Sequence, residues 1–157
     1  MIKDQISFQF ISEPTDVNFG GNVHGGEVMK WIDQTAYACA TGWAQNYCVT
    51  VYVGGIRFYH PISIGAIVRV DAKVIFTGTT SIHIAVDVFS RKLRENKFIK
   101  TTHCVIVFVS TGQDGKPFPV SKFIPDTELK KDMEQYAKRL IELRKSIEDE
   151  MSRFMKL

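Results

Sequence analysis

The stretch Thr15–Trp43, TDVNFGGNVHGGEVMKWIDQTAYACATGW, decides the fold of this chain. Its first half is a polar loop interrupted by glycines, and its second half runs without proline into an amphipathic pattern. That pattern predicts one helix that begins near Gly25 or Gly26 and that Gly42 helps to end. One short strand precedes the helix, and long β-rich segments follow it. We therefore expect a sheet that wraps around a single helix.

Alternating apolar side chains predict five strands around this helix. The predicted strands are Gln5–Ile11, with Ile6, Phe8 and Phe10 on one buried face, Cys48–His60, Ile67–Gly78, with Val74 and Phe76 on one face, Thr79–Leu93 and Lys97–Ser110. The Gly54–Gly55 pair predicts a bulge in the second strand. No helix separates the later strands, so most of the sheet must be antiparallel. The predicted class is α+β, a curved antiparallel sheet around one central helix.

A long C-terminal helix follows the predicted domain of residues 1–123, and residues 124–157 form its helical extension. Asp126 is the predicted N-cap. A narrow apolar row continues along roughly 30 residues, and its members are Leu129, Met133, Tyr136, Leu140, Leu143, Ile147, Met151 and Phe154. Two interpretations are equally favoured. Either part of the helix packs on a neighbouring subunit or projects, or the helix lies on the protein's own sheet.

Composition limits the possible functions. The 157 residues fit one domain, and a net charge of +3 is too small to indicate nucleic-acid binding. Cys39, Cys48 and Cys104 are odd in number and lie in apolar sequence, which predicts buried thiols in a cytoplasmic protein. No apolar run is long enough for a membrane span. No metal-binding or serine-hydrolase motif is present, so we expect neither a metal nor a cofactor.

Candidate chemistry lies in the loop and the helix. Asp33 falls at the edge of the apolar helix face, where partial desolvation would suit a nucleophile or a general base. Asn18 could orient water or hold a carbonyl oxygen. The backbone N–H groups near Gly25 and Gly26, with His24 beside them, could form an oxyanion hole at the helix N-terminus.

Each of these residues also has a simpler interpretation. An aspartate at a helix border is more often a solvated residue, and Asn18 is more often a turn former. His24 could be a hydrogen-bonding loop residue. The glycines could serve only tight turns. Composition and spacing alone therefore leave the function open.

Taken together, five segments resemble the hotdog-fold acyl-CoA thioesterases, especially the short bacterial acyl-CoA hydrolases. The resemblance covers about residues 5–122. Its carriers are Asp16-Val-Asn18-Phe-Gly20-Gly-Asn-Val-His24-Gly-Gly26, Met29-Lys-Trp-Ile-Asp33, Val49-Thr50-Val51 with Gly55-Ile-Arg57-Phe58, Pro61-Ile-Ser-Ile-Gly65 and Gly78-Thr-Thr-Ser81-Ile. Their order and spacing are more specific than any single segment.

This resemblance implies hydrolysis of acyl-CoA to a free acid and CoA. The family's helix aspartate matches Asp33, which would activate water or attack the thioester. Its loop asparagine matches Asn18, contributed by a neighbouring subunit. A homodimer joined edge to edge would be the minimal active unit, commonly assembled as a trimer of dimers.

The resemblance also implies a path for the CoA substrate. Thr50, Val51, Thr79, Thr80 and Ser81 would line the pantetheine and nucleotide. Thr79 stands where many relatives carry arginine, which weakens an inherited phosphate contact there. Weaker candidates for phosphate contacts are Arg57, Arg91 and Lys92, any of which could instead be an exposed solubilising charge.

Two other functions stay in view. A hotdog domain can bind acyl-CoA as a non-catalytic sensing module. The retained Asp33 and Asn18, and the absence of a DNA-binding segment in this sequence, make that reading less favoured. A hotdog dehydratase would need a paired Asp and His in a hydration motif, and the sequence has no such pair.

Overall fold

Five antiparallel strands form one sheet in the order β1-β3-β4-β5-β2, so β1 and β2 are its edges. The computed structural model describes residues 2–156. The elements are β1 (Gln5–Ile11), a 3-10 turn (Pro14–Asp16), α1 (Gly25–Ala44), β2 (Cys48–Phe58), β3 (Ile67–Thr77), β4 (Ser81–Arg91), β5 (Ile99–Ser110) and α2 (Glu128–Met155). The predicted α+β class and the single central helix are confirmed.

Helix α1 packs its apolar face on one face of the sheet, which we call the inner face. Ile32, Ala36 and Ala40 are completely buried there, among the inner-facing valines and isoleucines of β3 and β4. The small alanines let the helix approach the strands closely. The helix continues past Gly42 and ends at Ala44, followed by Gln45 in the left-handed conformation. The prediction that Gly42 helps to end it is therefore wrong.

Two irregularities interrupt edge strand β2. Its register against β5 shifts between Thr50 and Tyr52 and again between Gly54 and Arg57. The bulge predicted at Gly54–Gly55 is confirmed. A side chain at Gly54 would place its Cβ 2.9 Å from the Tyr52 ring, so the backbone there approaches its neighbours too closely for another residue.

Two positions depart from the predicted alternation. A register shift between Val74 and Phe76 leaves Val74 facing α1, while Ile75 and Phe76 pack on the opposite, outer face. The bulge thus changes the face of Phe76, which sequence alternation alone could not reveal. In β1, Ile6 and Phe10 pack on the core, but Phe8 is 43% exposed because no element covers it.

Helix α2 crosses the outer face of the sheet. Ala137 is buried against Ile75, Ala85 and Val105, which confirms packing on the protein's own sheet for the first half of α2. The N-cap is Thr127, whose side chain accepts the Lys130 N–H.

The predicted N-cap, Asp126, instead forms an ion pair with the Lys130 ammonium at 2.8 Å. No helix within residues 2–156 is long and apolar enough to cross a membrane. The division into residues 1–123 and 124–157 stays a prediction.

Candidate active site

Asp33 lies midway along α1, on the side that faces β2. The Thr50 hydroxyl donates a hydrogen bond to Asp33 Oδ1, with 3.1 Å between the oxygens. This contact joins the helix to the edge strand and fixes the direction of the carboxylate. In the single chain Asp33 is exposed, whereas the sequence predicted partial desolvation.

An exposed apolar patch surrounds Asp33 on α1 and β2. Its members are 36–64% exposed and are Met29, Tyr37, Tyr47, Val51 and Val53. Met29 and Tyr37 lie one helical turn before and after Asp33, so they share its side of α1. An apolar patch beside an unpaired edge strand is typical of a protein interface. A partner covering this patch would remove Asp33 from water.

The loop before α1 is organised by Asn18. Its Oδ1 accepts the Gly20 N–H at 2.8 Å and the Asn22 N–H at 3.1 Å. Asn18 is therefore a turn former, as the simpler interpretation held. Because backbone N–H groups need an acceptor, these bonds also fix which way the amide faces. Its Nδ2 group donates to no other group among residues 2–156 and is available to a ligand.

The N-terminus of α1 offers one free donor where the sequence predicted two. His24 is the N-cap, and its Nδ1 accepts the Gly26 N–H at 2.9 Å. The Gly26 N–H is thus already used, which corrects the prediction that both glycines contribute to an oxyanion hole. No acceptor within residues 2–156 bonds the Gly25 N–H, which therefore stays available.

Asn18 and Gly25 line the same cavity, which has a volume of about 300 Å³. Its walls also include Val28, Phe58 and Thr102. Asp33 is not among the lining residues. It lies eight residues after Gly25, which is roughly 12 Å along the helix axis. One protomer therefore holds the carboxylate and the two N–H donors in separate places.

The predicted CoA-binding residues fall into two groups at opposite ends of the sheet. Val49 pairs with Val109, which in turn pairs with Ser81, so one end carries the group Thr50, Val51, Thr79, Thr80 and Ser81. Val51 is the unpaired residue of the first bulge in β2. These residues lie on β2 and at the start of β4, with β5 between the two strands.

The basic candidates lie at the other end. Arg57 is opposite His103, seven residues and about 20 Å along β2 from Thr50. Arg91 ends β4, donates to the Glu95 carbonyl at 3.0 Å and thereby closes the hairpin that also contains Lys92. A single protomer does not bring this group to Asp33.

Burial makes all three cysteines unsuitable as nucleophiles. They are unpaired and buried, as predicted. Burial raises the pKa of Cys39 and of Cys104 to about 12 each, and that of Cys48 to about 11. Thiols with such pKa values stay protonated at neutral pH. Within residues 2–156, no cluster of three histidine, cysteine or acidic side chains could hold a metal ion.

A hydrogen-bonded chain of side chains on the outer face was not predicted from the sequence. His103 bonds Asp87 at 2.8 Å and the Tyr136 hydroxyl at 2.9 Å. Burial alone would raise the pKa of Asp87, but hydrogen bonds from His103 and Lys100 outweigh it and hold that pKa below its usual range. The strand register, in which Asp87 faces His103, is the only signal that could have revealed this chain. It ties α2 to the sheet, far from Asp33.

Comparison with known proteins places this geometry in a family. Residues 20–97 match the family described as Thioesterase superfamily. Protein VdlD of Helicobacter pylori is 30% identical over 127 residues, 81% of this chain and 72% of the relative. The acyl-CoA thioester hydrolase YciA of Salmonella typhimurium is 30% identical over 119 residues, 74% of this chain and 90% of the relative.

Solved structures agree with these matches. An acyl-CoA hydrolase from Staphylococcus aureus, bound to butyryl-CoA and CoA, has a TM-score of 0.89 at 25% identity, covering 98% of this chain and 93% of that one. Variants of it replace an aspartate, an asparagine and a threonine by alanine. A hexameric hotdog-fold thioesterase of Campylobacter jejuni has a TM-score of 0.68 at 29% identity, covering 73% and 88%. The chain thus belongs to the thioesterase superfamily, among its hotdog-fold acyl-CoA thioester hydrolases.

Proposed function

We propose that this protein hydrolyses acyl-CoA thioesters to a free carboxylic acid and CoA, in an active site that two copies of the chain complete. One observation carries the proposal. Asp33 is oriented by Thr50 inside an exposed apolar patch, while the free donors of Asn18 and Gly25 face a different cavity. In a pair of copies, the donors of Asn18 and Gly25 from one copy would lie beside Asp33 of the other.

Pairing across the β2 edge is the favoured way to bring the copies together. β2 is an unpaired edge strand, and the apolar patch lies on it and on the adjacent side of α1. Covering this patch would bury apolar surface and desolvate Asp33, which raises the basicity of a carboxylate. A hexameric relative supports assembly into an oligomer. A trimer of dimers would give the same number of subunits.

The spacing of three polar residues supports the assigned roles. In the Staphylococcus aureus hydrolase, the substituted asparagine lies 15 residues before the substituted aspartate, and the substituted threonine lies 17 residues after it. Asn18, Asp33 and Thr50 have the same two separations. We infer that these three residues form the reacting part of the site.

The proposed reaction needs no metal or other cofactor. Asp33 accepts a proton from water, and the resulting hydroxide adds to the thioester carbonyl carbon. The Gly25 N–H and the Asn18 Nδ2–H of the other subunit donate to the oxyanion that forms. Collapse of this intermediate breaks the carbon–sulfur bond, and the Asp33 proton passes to the CoA sulfur. Direct attack by Asp33, through an anhydride that water then opens, would use the same groups.

The CoA moiety is proposed to follow the end of the sheet nearest Thr50. There the exposed Val51 and the Thr79–Ser81 turn would contact the pantetheine. The three basic candidates lie at the far end of the sheet: Arg57, Arg91 and Lys92. They would contact the phosphates of a CoA molecule only if another subunit held most of that molecule. Their role stays a prediction.

Mixing two inactive variants tests the shared site. Asp33→Asn and Asn18→Asp are each expected to lower kcat at least 100-fold as homo-oligomers. Randomly mixed subunits should recover up to about a quarter of wild-type kcat, since half of the dimers are mixed and each has one intact site. Recovery in the mixture supports the proposal, and its absence with folded mixed dimers would refute it.

A non-catalytic sensing module is the second candidate. Incubation with a panel of acyl-CoA thioesters and a thiol reagent separates the two functions. Release of free CoA that depends on Asp33 indicates the hydrolase, whereas binding without release indicates the sensor. A cytoplasmic location stays a prediction that rests on the three unpaired, buried thiols.

A further inference from the structure

Helix α2 crosses all the strands of the sheet and reaches edge strand β2. Near its start, the Lys130 ammonium pairs with Asp4, just before β1, at 2.8 Å. Tyr136 then bonds His103 on β5, and the Arg144 guanidinium lies 4.6 Å from the centre of the Tyr52 ring on β2. The helix therefore runs from the β1 edge of the sheet to the β2 edge.

The last three turns of α2 extend beyond this edge. Eleven residues, 145–155, follow Arg144 in the helix, and they span roughly 16 Å. Neighbouring strands are about 4.8 Å apart, so this overhang, residues 145–155, has the width of about three more strands. Residues 2–156 supply no strand beyond β2, which is the edge of the sheet.

The overhang continues the apolar row of the buried half of α2. Its apolar side chains are strongly exposed, with Ile147 at 52%, Met151 at 55% and Phe154 at 89%. The matching positions earlier in the row, Met133 and Leu140, pack on the sheet. A helix end of eleven residues with an uncovered apolar row is marginal in water. The row therefore has the pattern of a buried face and lacks the surface that would bury it.

We propose that the overhang packs on the outer face of a second copy of this chain, joined at the β2 edge. This inference rests on the edge-to-edge pairing in the proposed function. The partner's sheet would continue this sheet beyond β2. It would therefore lie beneath the overhang and be wide enough to cover its apolar row. A cavity of about 210 Å³ between α2 and β2, lined by Tyr52, Gly55, Leu143 and Ile147, lies where the partner would arrive.

The charges favour a second copy over a membrane or a nucleic acid. Residues 145–156 carry three basic side chains, Lys145, Arg153 and Lys156, and three acidic ones, Glu148, Asp149 and Glu150. A helix that binds an anionic surface is instead basic on its polar face. In a second copy, Ile75, Ala85 and Val105 are already covered by that copy's own α2. The overhang would therefore lie beside the α2 of the second copy, over the part of its outer face nearest β2.

Photo-crosslinking of the full-length protein tests the inference. A benzophenone amino acid replaces Phe154 in the row, and a matched control replaces Asp149, which lies on the opposite side of the helix. The Phe154 position is expected to give a crosslinked product of twice the chain mass, at least tenfold more than the Asp149 position. Peptide mapping should locate the crosslink on β2, β5 or α2 of the other copy.

Changes within the row provide a second measurement. The double variant Ile147→Asp, Met151→Asp should speed subunit exchange at least tenfold, while Lys145→Asp, Arg153→Asp, on the other side of the helix, should not. Circular dichroism checks that both variants keep α2. A Phe154 crosslink confined to one chain, or mapped to the inner face of another copy, would overturn the inference. The activity of mixed Asp33→Asn and Asn18→Asp subunits is a separate readout, so failure of this inference can be distinguished from failure of the proposed function.

Discussion

The Thr50 hydroxyl donates to the Asp33 carboxylate across 3.1 Å, and this contact links the edge strand to the central helix. A carboxylate held by one hydroxyl keeps its second oxygen free and pointed in one direction. In the proposed reaction that free oxygen receives the proton of water. In that proposed reaction Thr50 would be a positioning residue for Asp33, in addition to its predicted place along the CoA path.

Thr50→Val should therefore impair catalysis without disturbing the fold. Valine has nearly the same shape as threonine and lacks the hydroxyl, so only the hydrogen bond to Asp33 is lost. We expect kcat to fall about 10- to 100-fold, or ~1.4–3 kcal/mol in activation free energy, with KM changed less. Steady-state kinetics with one acyl-CoA measure both constants. Thr15→Val, an exposed threonine outside the site, is the control, and an equal loss in both variants would contradict the positioning role.

The two functions of Asn18 can be separated by two substitutions. Asn18→Asp keeps an oxygen for the N–H groups of Gly20 and Asn22 but loses the Nδ2–H donor. Asn18→Ala loses both. If donation to the substrate matters, both variants should lose at least 100-fold in kcat, and only Asn18→Ala should also lose about 1–2 kcal/mol of stability. Urea unfolding and kinetics on the same samples compare them, and an active Asn18→Asp would show that Asn18 only shapes the loop.

Sequence pattern was sufficient to predict the fold because each element carries a strong local signal. The apolar period from Val28 to Ala40 and the alternation in β3 and β4 depend only on which face is buried. The errors arose where one residue changes the outcome. The bulge after Val74 moves Phe76 to the other face, and Gln45 ends α1 because it adopts the left-handed conformation.

The residues proposed for the site could be chosen from the sequence, but their geometry could not be predicted from it. Asp33 and Asn18 were identified by a family resemblance, since a single aspartate or asparagine carries no signal of its own. Which N–H groups are free depends on individual hydrogen bonds, and the local bond from the Gly26 N–H to His24 already uses that donor. The chain from Asp87 to His103 and Tyr136 joins residues up to 49 positions apart. Such contacts follow from strand register and helix docking, which local sequence does not encode.

The His24 cap provides a prediction about stability. His24→Ala removes the acceptor of the Gly26 N–H at the start of α1 and should destabilise the protein by about 1 kcal/mol. His24→Asn supplies a side-chain oxygen suited to an N-cap and should restore most of that loss. Urea unfolding at constant pH measures both. Equal destabilisation by alanine and asparagine would mean that His24 acts through its ring and not through the cap.

Acid should destabilise the protein through His83, which is 4% exposed beneath α2. Burial, together with the nearby positive charge of Arg144, lowers the pKa of His83 to about 4. The unfolded chain binds this proton near pH 6.5, whereas the folded chain binds it only near pH 4. Stability is therefore complete above pH 6.5 and falls as the pH drops toward 4, by about 3 kcal/mol for this one group.

His83→Gln tests this assignment because glutamine is neutral at every pH. Unfolding free energies should be measured in urea at pH 4, 5, 6 and 7 for the wild type and the variant. The wild type is expected to lose about 3 kcal/mol more than His83→Gln between pH 7 and pH 4. His60→Gln, an exposed histidine, should instead follow the wild type. The carboxyl of Asp87, with its lowered pKa, titrates below this window and affects all three proteins alike. Parallel pH profiles for wild type and His83→Gln would show that His83 binds its proton as easily in the folded chain as in the unfolded one.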